Sequence, residues 1–130
     1  MAYEEAVFSP DLASPRVARS FLRRTLDAAG VSADLAVLLV SELATNAVLH
    51  ARTDFAVRIW IERDHVRVEV QDANERPPMI GHTPAESTSG RGLHLVQTLS
   101  TSWGVEGRPD GKTVWFVVPF DHDREDAFAS

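Results

Sequence analysis

Apolar and polar positions alternate with a period of two in two adjacent stretches. Phe55, Val57, Ile59 and Ile61 share one side against Arg58, Trp60 and Glu62; Val66, Val68 and Val70 then alternate with Arg67, Glu69 and Gln71. This spacing predicts a β-hairpin that turns near Arg63-Asp64 and leads to Asp72. A second hairpin is expected to join roughly Ser102–Glu106 to Thr113–Pro119 through the turn sequence Arg108-Pro109-Asp110-Gly111. A short edge strand is expected over about Glu4–Ser9. Elsewhere the period is helical. Val17, Phe21, Leu22 and Leu26 follow Ser14 as N-cap and Pro15 at the first helical position, and Gly30 is a natural stop. A second helix, capped by Ser32 or Asp34, is expected to run to about His50, and Leu93, Leu95, Val96 and Leu99 predict a third. From Asn74 to Ser89 the chain is polar and without period, the mark of a long loop of the kind used as a lid. Helices packed with mostly antiparallel strands place the chain in the α+β class, in two layers.

Composition narrows this further. With 130 residues, 44% of them hydrophobic and 25% charged, the chain has room for one globular domain. That domain is expected over residues 1–119, with 120–130 as an acidic, flexible tail. The net charge of −6 argues against a direct nucleic-acid partner, which would need a basic face, although Arg16, Arg19, Arg23 and Arg24 leave room for a local basic surface. The absence of cysteine excludes disulfides, thiolate zinc sites and thiol catalysis. The opening MAYEEAVFSP lacks the apolar core of a secretory signal. The apolar run Leu35–Val40 is far short of the roughly 20 residues of a membrane span. A cytoplasmic protein without a membrane partner is expected.

The second helix carries an anomaly. At about 100° per residue, Leu35, Leu38, Leu39, Leu43 and Leu49 form an apolar stripe, and Glu42 and Asn46 fall within it one turn apart. An unsatisfied buried amide costs about 1–3 kcal/mol and an unpaired carboxylate more. Either the two are a satisfied polar pair or the helix is turned partly into solvent; otherwise a cavity opens against it. In the last case the amide oxygen and the carboxylate suit a hard cation such as Mg²⁺, and the carboxylate is placed to take a proton from a hydroxyl. His50, one turn on, reads as a helix-end histidine at the negative end of the dipole.

The stretch Ser41-Glu42-Leu43-Ala44-Thr45-Asn46-Ala47-Val48-Leu49-His50 resembles the N box of the GHKL ATP-binding superfamily, whose Bergerat fold is an α/β sandwich. Three more segments follow in the superfamily's order. Val68-Glu69-Val70-Gln71-Asp72-Ala73-Asn74 is similar to the strand and loop with the adenine-binding Asp. Gly90-Arg91-Gly92-Leu93-His94-Leu95-Val96 is similar to the glycine segment that closes the ATP lid. Lys112-Thr113-Val114-Trp115-Phe116 is similar to the last strand, whose Thr lies near adenine. The resemblance spans about Arg16 to Pro119. It implies a mixed, mostly antiparallel sheet with about three helices on one face. The short chain and the TNAVLHA phrasing look most like the bacterial anti-sigma factor serine kinases, which bind a sigma factor and phosphorylate a serine of an anti-anti-sigma (STAS) antagonist.

The resemblance implies ATP and Mg²⁺ as cofactors, a sigma factor and a STAS protein as partners, and a homodimer. It implies that Asp72 accepts a hydrogen bond from the adenine amino group, Asn46 holds Mg²⁺, and Glu42 is the catalytic base or orients the attacking hydroxyl. Gly90, Gly92 and Leu93 would bring backbone amides to the phosphates at a helix N-terminus; Arg91 would reach a phosphate and Thr113 would meet adenine through water. The chain departs from the family at Asp72-Ala73-Asn74-Glu75-Arg76-Pro77, where Asp-x-Gly-x-Gly is usual. Asn74 adopts positive φ more readily than most residues and stands where the first glycine would. A non-catalytic ATP-binding interaction module is the alternative to the kinase. Gly107-Arg108-Pro109-Asp110-Gly111-Lys112-Thr113 imitates a P-loop, but it has three residues between its glycines where four are needed, and a strand follows it.

Overall fold

A computed structural model describes residues 2–73 and 84–121; the side chains of 84–91 and of 108 lie outside that description. The element order is β1 (Ala2–Phe8), α1 (Ser14–Ala28), α2 (Asp34–Asn46) continued by a π-helical turn (Ala47–Ala51), β2 (Phe55–Ile61), β3 (His65–Asp72), α3 (Pro84–Leu99), β4 (Ser102–Arg108) and β5 (Gly111–Pro119). The strands form a five-stranded sheet in the order β1-β2-β3-β5-β4. Every pairing among the described residues is antiparallel, in line with the mostly antiparallel sheet expected.

The sheet follows from the period of two. Phe55, Val57, Ile59 and Ile61 pair in register with Asp72, Val70, Val68 and Val66, and these β3 residues pair with Lys112, Val114, Phe116 and Val118. Partners in an antiparallel ladder share a face, so one face is a continuous aliphatic and aromatic surface. Full burial of each such side chain is worth about 1.5–3 kcal/mol. The helices pack on that face, making two layers. The other face carries Trp60, Arg67 and Trp115, with the Arg67 guanidinium 4.3 Å from the Trp115 ring centre. There too Arg58 bonds Glu5 at 3.1 Å and Gln71 at 2.7 Å. The Tyr3 hydroxyl, hydrogen-bonded to Glu5, holds that carboxyl below its usual range, with Arg58 adding to the effect.

The helix boundaries have identifiable causes, some local and one distant in the chain. In α1, Ser14 is the first helical residue and not the cap: Ala13 holds the cap position, and the Ser14 hydroxyl donates to the Ser9 carbonyl at 2.7 Å. The helix ends as expected. Gly30 has φ +71°, its N–H bonds the Asp27 carbonyl, and the Val31 N–H bonds Leu26. Neither Ser32 nor Asp34 caps α2 with its side chain. The Asp121 carboxylate accepts the Asp34 N–H at 2.9 Å, and the Asp121 N–H bonds the Ser32 carbonyl at 2.7 Å. A residue expected in the flexible tail is therefore part of the domain; 122–130 lie outside the described residues. The loop expected to reach Ser89 ends sooner, because α3 already begins at Pro84, a residue suited to a first helical turn.

With its π turn, α2 is 18 residues long and, by length and composition alone, apolar enough to cross a membrane. Its setting against the sheet accounts for that composition. The buried side is Ala36, Val37, Leu39, Val40, Leu43, Ala44, Ala47 and Val48, whereas Leu38 and Leu49 are 43% and 48% exposed. The expected leucine stripe is thus rotated: Leu39 and Leu43 stay in the core with alanines and valines, Leu38 and Leu49 turn outward, and Leu35, Glu42 and Asn46 lie on the border.

The π turn closes on Arg52, which has φ 57° and ψ 34° and bonds the Ala47 carbonyl at 2.8 Å. The left-handed conformation costs a side-chain-bearing residue about 1–2 kcal/mol. Arg52→Gly is therefore expected to hold or raise the thermal midpoint and Arg52→Val to lower it; unfolding followed by circular dichroism checks the order.

Candidate functional site

The site is built at one end of the sheet. Alternation along β3 sends Asp72 to the same face as Val66, Val68 and Val70, so a carboxylate continues an aliphatic row and is only 6% exposed. Across the strands the row reads Phe8, Phe55, Asp72 and Lys112. Phe8 stacks on Phe55 at 5.3 Å, and Lys112 Nζ lies 3.7 Å from Asp72 Oδ2. Gly111, beside Lys112, has φ +155°, and a Cβ there would stand 2.0 Å from the Asp72 carbonyl oxygen. The hairpin and the end of β3 touch so closely that only glycine fits.

The second component is the end of α2. Asn46 is its last α-helical residue, and the π turn that follows re-aims the chain toward β2. Such turns recur at functional sites. After Arg52, the Thr53 hydroxyl accepts the Ala73 N–H at 3.0 Å. This ties the end of the helix to the residue after Asp72. Glu42 and Asn46 are both half-buried, one turn apart.

The third component is α3. Gly92 is buried, and a Cβ on it would meet Asn46 Nδ2 at 2.7 Å and the Glu42 Cβ and backbone carbon at 3.4 Å. The glycine lets α3 approach α2 at the two polar residues singled out from sequence. Gly90, Arg91, Gly92 and Leu93 were expected at a helix N-terminus. They lie well inside α3, which starts at Pro84, so their backbone amides are engaged within the helix rather than turned outward as a terminal cradle. The Arg91 side chain and all of Asn74 lie outside the described residues.

The structure thus gathers Glu42, Asn46 and Gly92 at one point and Asp72, Gly111 and Lys112 at another, linked through Thr53 and Ala73. It does not bring Thr113 to Asp72. Thr113 pairs with Gln71 and Glu106, on the opposite face of the sheet, where it is buried. The residue opposite Asp72 is Lys112, which the sequence reading passed over. The alternation of Val114, Phe116 and Val118 was the signal for it, because residue 112 shares their side. The P-loop imitation is a hairpin, as its spacing required.

Chemically, the strand-end point offers a buried acceptor at Asp72 and a cationic donor at Lys112, and the helix point offers two oxygen donors at Glu42 and Asn46. Among the described residues no group of three or more His, Cys, Asp or Glu can hold a metal. The oxygen donors of Glu42 and Asn46 fit a hard cation that arrives with most of its ligands, as Mg²⁺ does on a triphosphate.

The profile of the histidine kinase-like ATPase domain matches residues 8–118. No curated protein matches the chain. Among solved structures, the fold is similar to that of the RsbU and RsbW domains of Rv1364c from Mycobacterium tuberculosis, with a TM-score of 0.72 at 20% identity. The likeness covers 95% of this chain and 34% of that one, so the present chain spans about a third of its length.

Two glycine substitutions separate the site's close contacts. Gly92→Ala meets the movable end of the Asn46 side chain, and the gain in helix propensity of roughly 1 kcal/mol offsets the shift; its urea midpoint is expected to stay near that of the parent. Gly111→Ala meets backbone, and the overpacking alone is expected to cost about 1–3 kcal/mol, with a clear drop in the midpoint.

Proposed function

The chain belongs to the histidine kinase-like ATPase domain family, and from that premise we propose that it binds Mg·ATP as a cytoplasmic regulator and transfers the γ-phosphate to a serine of an anti-anti-sigma (STAS) partner. In this reading it is an anti-sigma factor-like serine kinase, working as a homodimer beside a sigma factor. The observation that carries the reading is the convergence of Glu42, Asn46 and Gly92 near the end of a helix whose following segment, through Thr53, is hydrogen-bonded to the residue after Asp72. The resemblance of residues 41–50 to the N box and the fold shared with a protein that contains an RsbW domain support it.

The roles follow from the chemistry of each group. Asp72 accepts the adenine amino group; guanine presents a carbonyl there, so ATP is favoured over GTP. Asn46 would hold Mg²⁺ through its amide oxygen, and the bound ion would offset charge on the phosphates. Glu42 takes the proton of the serine hydroxyl as the serine oxygen bonds to the γ-phosphorus and the bond to the bridging oxygen breaks, leaving ADP. The border setting of Glu42 keeps this carboxylate in contact with solvent on one side and with the site on the other.

One observation favours the second reading, a non-catalytic module that binds ATP to set its shape for a partner. Arg76-Pro77 stands where the family has glycine, which stiffens the segment after Asp72. Incubation with γ-³²P-ATP and candidate STAS proteins separates the two: label on the partner is the expected result, and ATP binding without label on any STAS protein favours the module.

Two variants test the roles. Asp72→Ala is expected to weaken ATP binding by about 1–3 kcal/mol, the cost of a polar partner left unsatisfied, in a protein that still folds. Calorimetry on the folded variant reads this directly. Glu42→Ala is expected to keep or slightly tighten ATP binding, since it removes a like charge near the triphosphate, while transfer falls by roughly 10²–10⁴. A normal transfer rate in Glu42→Ala would remove Glu42 from the mechanism.

A further inference from the structure

Lys112 is the only lysine in a chain that holds 13 Lys+Arg, and it stands directly opposite Asp72 on the neighbouring strand. Its position is not free to vary. The burial of Val114, Phe116 and Val118 fixes the face on which residue 112 lies, and the tight Gly111 contact fixes the end of the hairpin. The Lys112 side chain is 32% exposed and that of Asp72 7%. The acceptor is therefore set deeper, with the donor nearer the surface. At 3.7 Å the two charges attract but do not hydrogen-bond, so this pairing leaves the ammonium its three rotatable donors.

A paired donor and acceptor at one edge matches a particular kind of ligand. The Watson–Crick edge of adenine carries the N6 amino donor next to the N1 acceptor. A carboxylate alone reads the first of these atoms. A carboxylate with an ammonium beside it reads both.

We propose that Lys112 is a second base-reading residue, donating to N1 of adenine while Asp72 accepts from N6. The inference rests on the nucleotide reading above and deepens it, since it assigns to this chain a recognition contact that Asp72 cannot make. It also assigns the ion pair a purpose: the ammonium offsets the buried carboxylate until the base arrives, and then turns its donors to the ring.

The test uses the whole chain and two nucleotides, ATP and 1-deaza-ATP, in which N1 is replaced by C–H. By isothermal calorimetry the unmodified protein is expected to bind 1-deaza-ATP about tenfold more weakly than ATP, the size of one charge-assisted hydrogen bond. Lys112→Met is expected to bind both nucleotides with the weaker affinity, and Lys112→Arg to recover part of the difference. As a second readout, saturating ATP is expected to protect Lys112 from acylation by an amine-reactive reagent, scored by mass spectrometry; with a single lysine the assignment is unambiguous. The analogue comparison on the unmodified protein stands whether or not a variant folds. If the unmodified protein binds ATP and Lys112→Met binds it equally or more tightly, the inference is overturned while the nucleotide reading stands: Lys112 is then a counter-ion that the base displaces. Equal discrimination against 1-deaza-ATP by Lys112→Met and the parent overturns it as well. If the unmodified protein binds no ATP, the nucleotide reading falls and this inference with it.

Discussion

The rotational setting of α2 against the sheet is the constraint on which the candidate site depends. The helix is buried along about half its circumference, and three of its core-facing residues, Ala36, Ala44 and Ala47, are small enough to let neighbouring elements approach its backbone. Leu39, Val40 and Leu43 supply the volume between them. That setting leaves Glu42 and Asn46 on the border. Rotation by one residue, about 100°, would carry them either into the core, where an unpaired carboxylate is costly, or fully into water, where neither group would be held. The border position gives both a fixed place and an open side.

Two backbone features hold that setting at the end of the helix. The π turn from Ala47 to Ala51 inserts extra chain between Asn46 and β2, and Arg52 accepts a left-handed conformation to close it. The bond from the Ala73 N–H to the Thr53 hydroxyl then locks the turn to β3. At the start of α2 the Asp121 carboxylate accepts the Asp34 N–H. The helix is thus fixed at one end by the segment after β5 and at the other by the segment after β3. It cannot rotate without disturbing the sheet's own connections.

What sequence reveals here depends on the range of the interaction. Both hairpins, the stop at Gly30 and the strand-end position of Asp72 were legible, because each rests on a period of two, a turn sequence or a positive φ within a few residues. The rotation of α2 was not. Its leucines outweigh its alanines on any hydropathy reckoning, yet Ala36, Ala44 and Ala47 face the core beside Leu39 and Leu43, while Leu38 and Leu49 lie outside. The α2 cap was not legible either, since Asp121 is 87 residues from Asp34. The glycines at 90 and 92 were read as bringing amides to phosphates at a helix N-terminus; the structure sets Gly92 in a helix interior, against the Asn46 side chain.

The exchange of Thr113 for Lys112 opposite Asp72 follows from the same physics that builds the core. In β3 the core-facing residues are Val66, Val68, Val70 and Asp72, and the antiparallel register pairs them with Val118, Phe116, Val114 and Lys112. A slip of one residue would bring Thr113 to Asp72, but it would also turn Val114, Phe116 and Val118 out of the core. Losing that burial costs several kcal/mol at about 1.5–3 kcal/mol per side chain. No single polar contact at the strand end can match this. The aliphatic residues in the middle of β5 therefore decide which functional group stands opposite Asp72, and the chemistry available at that strand end is set by packing at a distance from it.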